Sequence, residues 1–106
     1  MINESHFHSS RHLGTWLKVL LRDGSLVRIR LFATPAEIEL AAAYAQHGVA
    51  HTEPQSTPAL AAQAAMDAIY GWRAQNPYSN LGAFVGVLSL PDGRFAGGYQ
   101  TRWSAT

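Results

Sequence analysis

With no cysteine in its 106 residues, the chain's most versatile side chains for chemistry are its five histidines. His6, His8 and His12 stand two and four apart near the N-terminus, and His47 and His51 stand four apart in the middle. Such spacings put imidazoles on one side of a strand or helix, as a metal site requires, and Glu53 would add an oxygen ligand. A three-histidine centre also needs a rigid scaffold and partners that hold the rings. The N-terminal group lies in a segment with no periodic pattern, and His47 sits where a protonated imidazole favours a helix C-terminus. No metal and no cofactor is assigned.

Other reactive groupings fare no better. None of the serines occupies a Gly-x-Ser-x-Gly elbow. Glu37 and Glu39 are two apart on a predicted helix and point to different sides, so they cannot act as an acid–base pair. Asp23 and Asp92 belong to turns, and Asp67 is expected in solvent or beside Arg73. Gly82, Gly86, Gly97 and Gly98 do not open a helix, so the logic of a phosphate loop is missing. The lack of cysteine removes disulfides, thiolate catalysis and sulfur-bound zinc. The expectation is a protein that is not an enzyme.

The elements that would position a site are legible from turns and caps. Leu21-Arg22-Asp23-Gly24-Ser25 and Leu90-Pro91-Asp92-Gly93-Arg94 read as hairpin turns. In the first, a three-residue loop sets Val19 opposite Val27 and Leu17 opposite Ile29, and Gly24 supplies the left-handed residue. Only that register collects Leu17, Val19, Leu21, Val27, Ile29 and Leu31 on one face. The same logic in the second hairpin sets Val85 opposite Tyr99 and Val87 opposite Gly97, with Phe84 and Leu88 on the other face.

Thr34-Pro35-Ala36 and Thr57-Pro58-Ala59 are helix starts with threonine caps and proline in the first turn. Glu37 completes a capping box with Thr34. The first helix is predicted over 35–47, ended by Gly48, with Ile38, Ala41, Ala42 and Ala45 as its apolar stripe and Leu40 and Tyr44 alongside. The second runs over 58–74 with a stripe of Ala62, Ala65, Met66, Ile69 and Trp72, closed by Asn76-Pro77. A polar linker, 51–56, joins them. Residues 1–12 read as a flexible N-terminal arm and 13–106 as a single α+β domain. The predicted fold is ββααββ, a four-stranded antiparallel sheet with both helices packed on one face.

On that fold the sheet face away from the helices is the candidate site. It would display Trp16, Lys18, Arg28, Arg30, Phe84, Leu88, Gln100 and Arg102 as partner-binding residues. Aromatic side chains and arginine together are the composition of binding hot spots. The net charge is +1, with the hairpin segments basic and the helical segment acidic, which predicts an electrically two-faced domain. A protein partner is expected, with a homodimer through the same face as a second outcome. Nucleic acid is an alternative partner, though the sheet-type RNA-binding motif is absent and such domains are usually far more basic. A small metal-dependent enzyme is the remaining alternative.

No apolar run approaches the roughly 20 residues of a membrane helix. Nor is there an apolar leader, so no membrane partner and a cytoplasmic location are expected. The composition, rich in alanine, arginine and glycine, suggests a bacterial source. The functional expectation is a non-catalytic binding protein, an inhibitor or adaptor of a bacterial protein complex, of the size common among phage and plasmid products.

Overall fold

The structure is a computed structural model that describes residues 15–75 and 83–101. Its elements are β1 (Thr15–Leu20), β2 (Leu26–Phe32), α1 (Pro35–Gln46), β3 (Val49–His51), α2 (Pro58–Gln75), β4 (Phe84–Ser89) and β5 (Phe95–Gln100). The fold is α+β, as the sequence predicts, but the sheet has five strands in the order β1-β2-β4-β5-β3 and is mixed. The predicted arm, 1–12, lies outside the described residues.

The first hairpin forms in the predicted register, with Leu17 opposite Ile29 and Val19 opposite Val27. The Leu21 N–H donates to the Ser25 carbonyl at 2.9 Å, the Gly24 N–H to the Leu21 carbonyl at 3.0 Å, and Gly24 takes φ 89°. Asp23 braces the turn by accepting from both the N–H and the hydroxyl of Ser25. Both helix starts are capped as expected. Thr34 and Glu37 form the reciprocal box, and the Thr57 hydroxyl accepts from the Leu60 N–H at 3.1 Å.

Three features depart from the predicted arrangement. The first is β3, a three-residue strand inside what the sequence presents as connection. It pairs antiparallel with β5, which makes it parallel to β2 and β4. A strand this short carries no readable period, and its backbone bonds come wholly from β5.

The second is the placement of the helices, which lie on opposite faces rather than one. Side chains alternate along β2, so Val27, Ile29 and Leu31 face one way and Arg28, Arg30 and Phe32 the other. Ala61 and Ala62 of α2 form the core with Val19, Ile29 and Val87. Tyr44 of α1 instead meets the Phe32 ring edge-on, 6.1 Å between centroids. The reason is handedness. From β2 to β3 the chain crosses the sheet one way, and from β3 to β4 it returns. Two right-handed crossovers in opposite directions must pass over opposite faces. The buried stripe of α1 is correspondingly Glu37 and Ala41 with Tyr44 half-buried beside them, while Ile38, Ala42 and Ala45 are exposed.

The third is a bulge in β4. Phe84, not Val85, stands opposite Tyr99, and pairing resumes with Gly86 opposite Gly98 and Val87 opposite Gly97. One extra residue turns Phe84 inward and Val85 outward, the reverse of the predicted assignment.

α2 sits close on β5 because both contact surfaces lack side chains of any length. A Cβ built on Gly97 would meet the Ala61 carbonyl oxygen and lie 2.8 Å from the Ala65 Cβ. Gly71, in the exposed last part of α2, has open space around its would-be Cβ. Gly97→Ala is therefore expected to destabilise the domain by about 2–3 kcal/mol through forced separation of helix and strand. Gly71→Ala is expected to stabilise it by about 0.5–1 kcal/mol. Urea unfolding of both variants checks the opposite signs.

Candidate functional site

Alternation along the first hairpin fixes the site. β1 turns Trp16, Lys18 and Leu20 to the face opposite α2, and β2 turns Leu26, Arg28 and Arg30 to the same face. Cross-strand neighbours are Trp16 with Arg30, Lys18 with Arg28, and Leu20 with Leu26. Leu20 and Leu26 are exposed by 63% and 61% and Trp16 by 46%, so the patch is open and partly apolar among the described residues.

The indole organises the cations. The Arg28 guanidinium carbon lies 5.2 Å and that of Arg30 5.8 Å from the Trp16 ring centroid, and Arg30 is also 5.6 Å from the Phe32 centroid. These are cation–π distances, each worth about 0.5–1 kcal/mol where exposed. Lys18 and Arg28 are directly opposite each other, a like-charge pair that weakens a sheet. Neither forms an ion pair among the described residues; the carboxylates of Asp67 and Asp92 are bonded instead to Arg22 and Arg94.

Of the eight predicted partner-binding residues, the structure brings Trp16, Lys18, Arg28 and Arg30 together. Leu88 and Gln100 share their face, half-buried and on the far side of β2. Phe84 does not belong: the bulge turns it into the layer beneath α2, where it packs on the core with Leu31 and Phe95. Arg102 lies outside the described residues. The expected two-faced charge distribution is also corrected, since α1, which carries Glu37 and Glu39, lies on the basic side.

Beside Arg30 the face dips into a hollow of about 370 Å³ between α1 and the sheet, with Tyr44, His47 and Gln100 at its sides and Val49 and Val85 below. Tyr44 and Val85 were not readable as site residues. The Glu37–Ala41–Tyr44 spacing is helical, but a buried glutamate conceals it as an apolar stripe. Gly86 allows the adjacent packing, for a Cβ there would lie 2.7 Å from the Phe32 ring and 2.9 Å from the Arg30 carbonyl oxygen.

Two acidic groups brace this arrangement. Glu37 is 3% exposed, and its Oε1 accepts from the N–H groups of Thr34 at 2.8 Å and Ala33 at 2.9 Å. The Thr34 N–H above all holds its carboxyl below the ordinary value of 4.5, burial opposes this, and the Ala33 N–H, the Thr34 hydroxyl and the Arg30 charge add to the lowering. Asp67 accepts from both terminal nitrogens of Arg22, at 2.9 and 3.2 Å, and from the Gln63 amide. Those bonds, Arg22 first, hold Asp67 low, and they tie the hairpin tip to α2. The sequence reading, solvent or Arg73, does not name Arg22.

No cluster of three or more histidine and acidic side chains able to hold an ion occurs among the described residues, and His6, His8 and His12 lie outside them. His51 is half-buried on the outer face near Gly98, and burial pushes its imidazole below its ordinary value. No helix of the described residues is long and apolar enough to cross a membrane. Comparison with known proteins finds no matching family model, curated protein or solved structure.

Because the Glu37 pKa is lower folded than unfolded, its contribution to stability is complete above the ordinary value and is lost as pH falls through the lowered one. Glu37→Gln is expected to destabilise the fold by about 1 kcal/mol at neutral pH, as charge-assisted bonds become neutral ones. It should also flatten the acid limb of a plot of unfolding free energy against pH. Urea titrations of both proteins from neutral pH into the acid range measure this.

Proposed function

We propose that this chain is a non-catalytic binding protein that docks an acidic surface of a protein partner on the face built by Trp16, Lys18, Arg28 and Arg30. The observation that supports it is the Lys18–Arg28 pair. Two cations held face to face on an open sheet, without a carboxylate between them, weaken the free protein and strengthen a complex that supplies the missing anion. The neighbouring indole and the exposed Leu20 and Leu26 add the apolar contact that gives such a surface its affinity.

A protein suits this face better than a nucleic acid. Base stacking would need the Trp16 ring, which two guanidinium groups already attend. With a chain charge of +1, few phosphates would be neutralised. In this reading the domain is an inhibitor or adaptor that works by occupying a surface of a larger complex, as the sequence suggests, in a bacterial cytoplasm.

The test uses a tagged full chain to recover partners from the native host, with a Trp16→Ala/Arg28→Ala double variant as control. Both side chains are exposed, so the variant keeps the core. The expected result is a nuclease-resistant protein partner whose affinity drops at least about 30-fold in the variant. Equal affinity, or a complex that nuclease dissolves, would reject the reading.

A further inference from the structure

The two edges of the sheet are finished differently. β3 is three residues long, and the chain after it follows the same neighbour only intermittently: the Thr52 N–H donates to the Gly97 carbonyl and Gln55 bridges to Phe95. That edge is short and interrupted, as edges that avoid further pairing usually are. β1 is twice as long, without proline or bulge, and no described strand pairs with its outer side.

The hydrogen-bond phase of the hairpin shows which backbone groups stand on that outer side. Leu21 and Ser25 are a bonded pair, so bonded pairs continue at Val19 with Val27 and at Leu17 with Ile29. The N–H and C=O groups of Trp16, Lys18 and Leu20 therefore point away from β2, along the open edge. The same three residues put their side chains on the basic outer face, while Leu17 and Val19 lie on the apolar inner one.

We propose that the β1 edge binds an extended acidic segment of the partner as a sixth strand, with acidic side chains on the outer face and apolar ones on the inner face. This rests on the binding reading above and specifies how the partner is held. Main-chain bonds to Trp16, Lys18 and Leu20 supply the anchor, and alternate side chains supply the selection. On the outer face an added strand runs beside Lys18, with Arg28 one strand further in, so aspartate or glutamate there relieves the like-charge pair. On the inner face it runs beside Leu17 and Val19 toward a hollow of about 230 Å³ between Leu21, Met66 and Tyr70. A second copy of β1 is disfavoured by the same charges: centring the two-fold on Lys18 opposes two lysines, and the other registers leave fewer pairs.

The probe is a capped, fluorescein-labelled heptapeptide of alternating glutamate and valine, compared with the lysine–valine peptide. Lys18→Pro removes one edge donor and the charge while leaving the β1–β2 ladder intact, because the Lys18 N–H faces outward. Lys18→Glu keeps the donor and reverses the charge, and covers the case in which the proline variant fails to fold by circular dichroism. The expected result is saturable binding of the acidic peptide, at least about tenfold weaker in either folded variant and about as weak for the lysine–valine peptide. Trp16, Lys18 and Leu20 amides should gain protection from hydrogen exchange, and Leu17 and Val19 amides should stay as they are. Equal binding of the two peptides, unchanged affinity in the variants, or a self-associated chain that Lys18→Pro makes monomeric would overturn the proposal. Loss of the captured partner in Trp16→Ala/Arg28→Ala but not in Lys18→Pro would sink the edge alone and leave the docking face standing.

Discussion

Helix α2 and strand β5 touch through Gly97, Ala61 and Ala65, with no long side chain between them. That spacing governs much of the rest. A helix so near the sheet can cover β5 and β4 only if its contact residues are small, which is why Ala61, Ala62 and Ala65 are almost fully buried and the larger Ile69 stands further along. The layer is thin, so its core is closed at the sides by Val19, Ile29 and Val87 and rimmed by half-buried Phe84 and Phe95. The β1–β2 hairpin joins that core through Val19 and Ile29, and its tip has a fastening of its own. The Arg22–Asp67 pair, with the Arg22 N–H donating to Gln63 at 2.7 Å, supplies it from an exposed position. An exposed pair contributes little to global stability, so its effect is one of orientation: it fixes where the tip of the β1–β2 ribbon points.

A thin core on one side leaves the other side of the sheet to be finished differently. The chain returns from β3 to β4 across the sheet, which commits α1 to the face opposite α2. It runs over β2, β4 and β3, from Phe32 to Val49, and the exposed Trp16, Leu20 and Leu26 beyond it are the most open part of that face among the described residues. The open area and the covered area are joined by Arg30, whose guanidinium lies between the rings of Trp16 and Phe32 and whose charge acts on the buried Glu37. The basic patch and the α1 capping box thus meet at one residue: the carboxylate that closes the helix start feels the charge of the cation lying between the two rings.

How much of this could be read in the sequence follows from the range of each signal. Turn and cap chemistry is local, and Asp23-Gly24, Thr34-x-x-Glu37 and Thr57-Pro58 each specify their element within a few residues. The first hairpin's register was fixed by the need to collect Leu17, Val19, Val27 and Ile29 on one side. The same reasoning holds in the second hairpin from its turn to Val87 opposite Gly97 and fails beyond, because Phe84 and Val85 are both apolar and each suits either face. Nothing local marks Val85 as the extra residue; Gly86, where pairing resumes, lies against Phe32 of the neighbouring strand β2. β3 is legible only from β5. The side taken by α1 depends on the strand order, which depends in turn on β3, so one missed three-residue strand displaced a whole helix. Four of the eight predicted residues come together because they lie on the hairpin whose register is readable. Phe84 was lost to the bulge, and Tyr44 was hidden by a buried charge where the pattern demanded an apolar residue.

The charges on the open face bear on why the β1 edge is left regular. A sheet edge is ordinarily blunted by a lysine, a proline, a bulge or brevity. At β3 the chain uses brevity and a break in the pairing. At β1 it uses only Lys18, and that residue stands opposite Arg28 rather than opposite an acid. A lone lysine set there for solubility would gain from a carboxylate across the strand, and the neighbouring position would accept one without disturbing the core. Keeping two cations adjacent, beside an indole that orders the second of them, instead holds a positive potential along the only long free edge among the described strands. Repulsion between like edges then guards against indiscriminate pairing, while attraction to an acidic strand persists. In the proposed complex, selectivity would come from the same side chains that make the free protein slightly less stable.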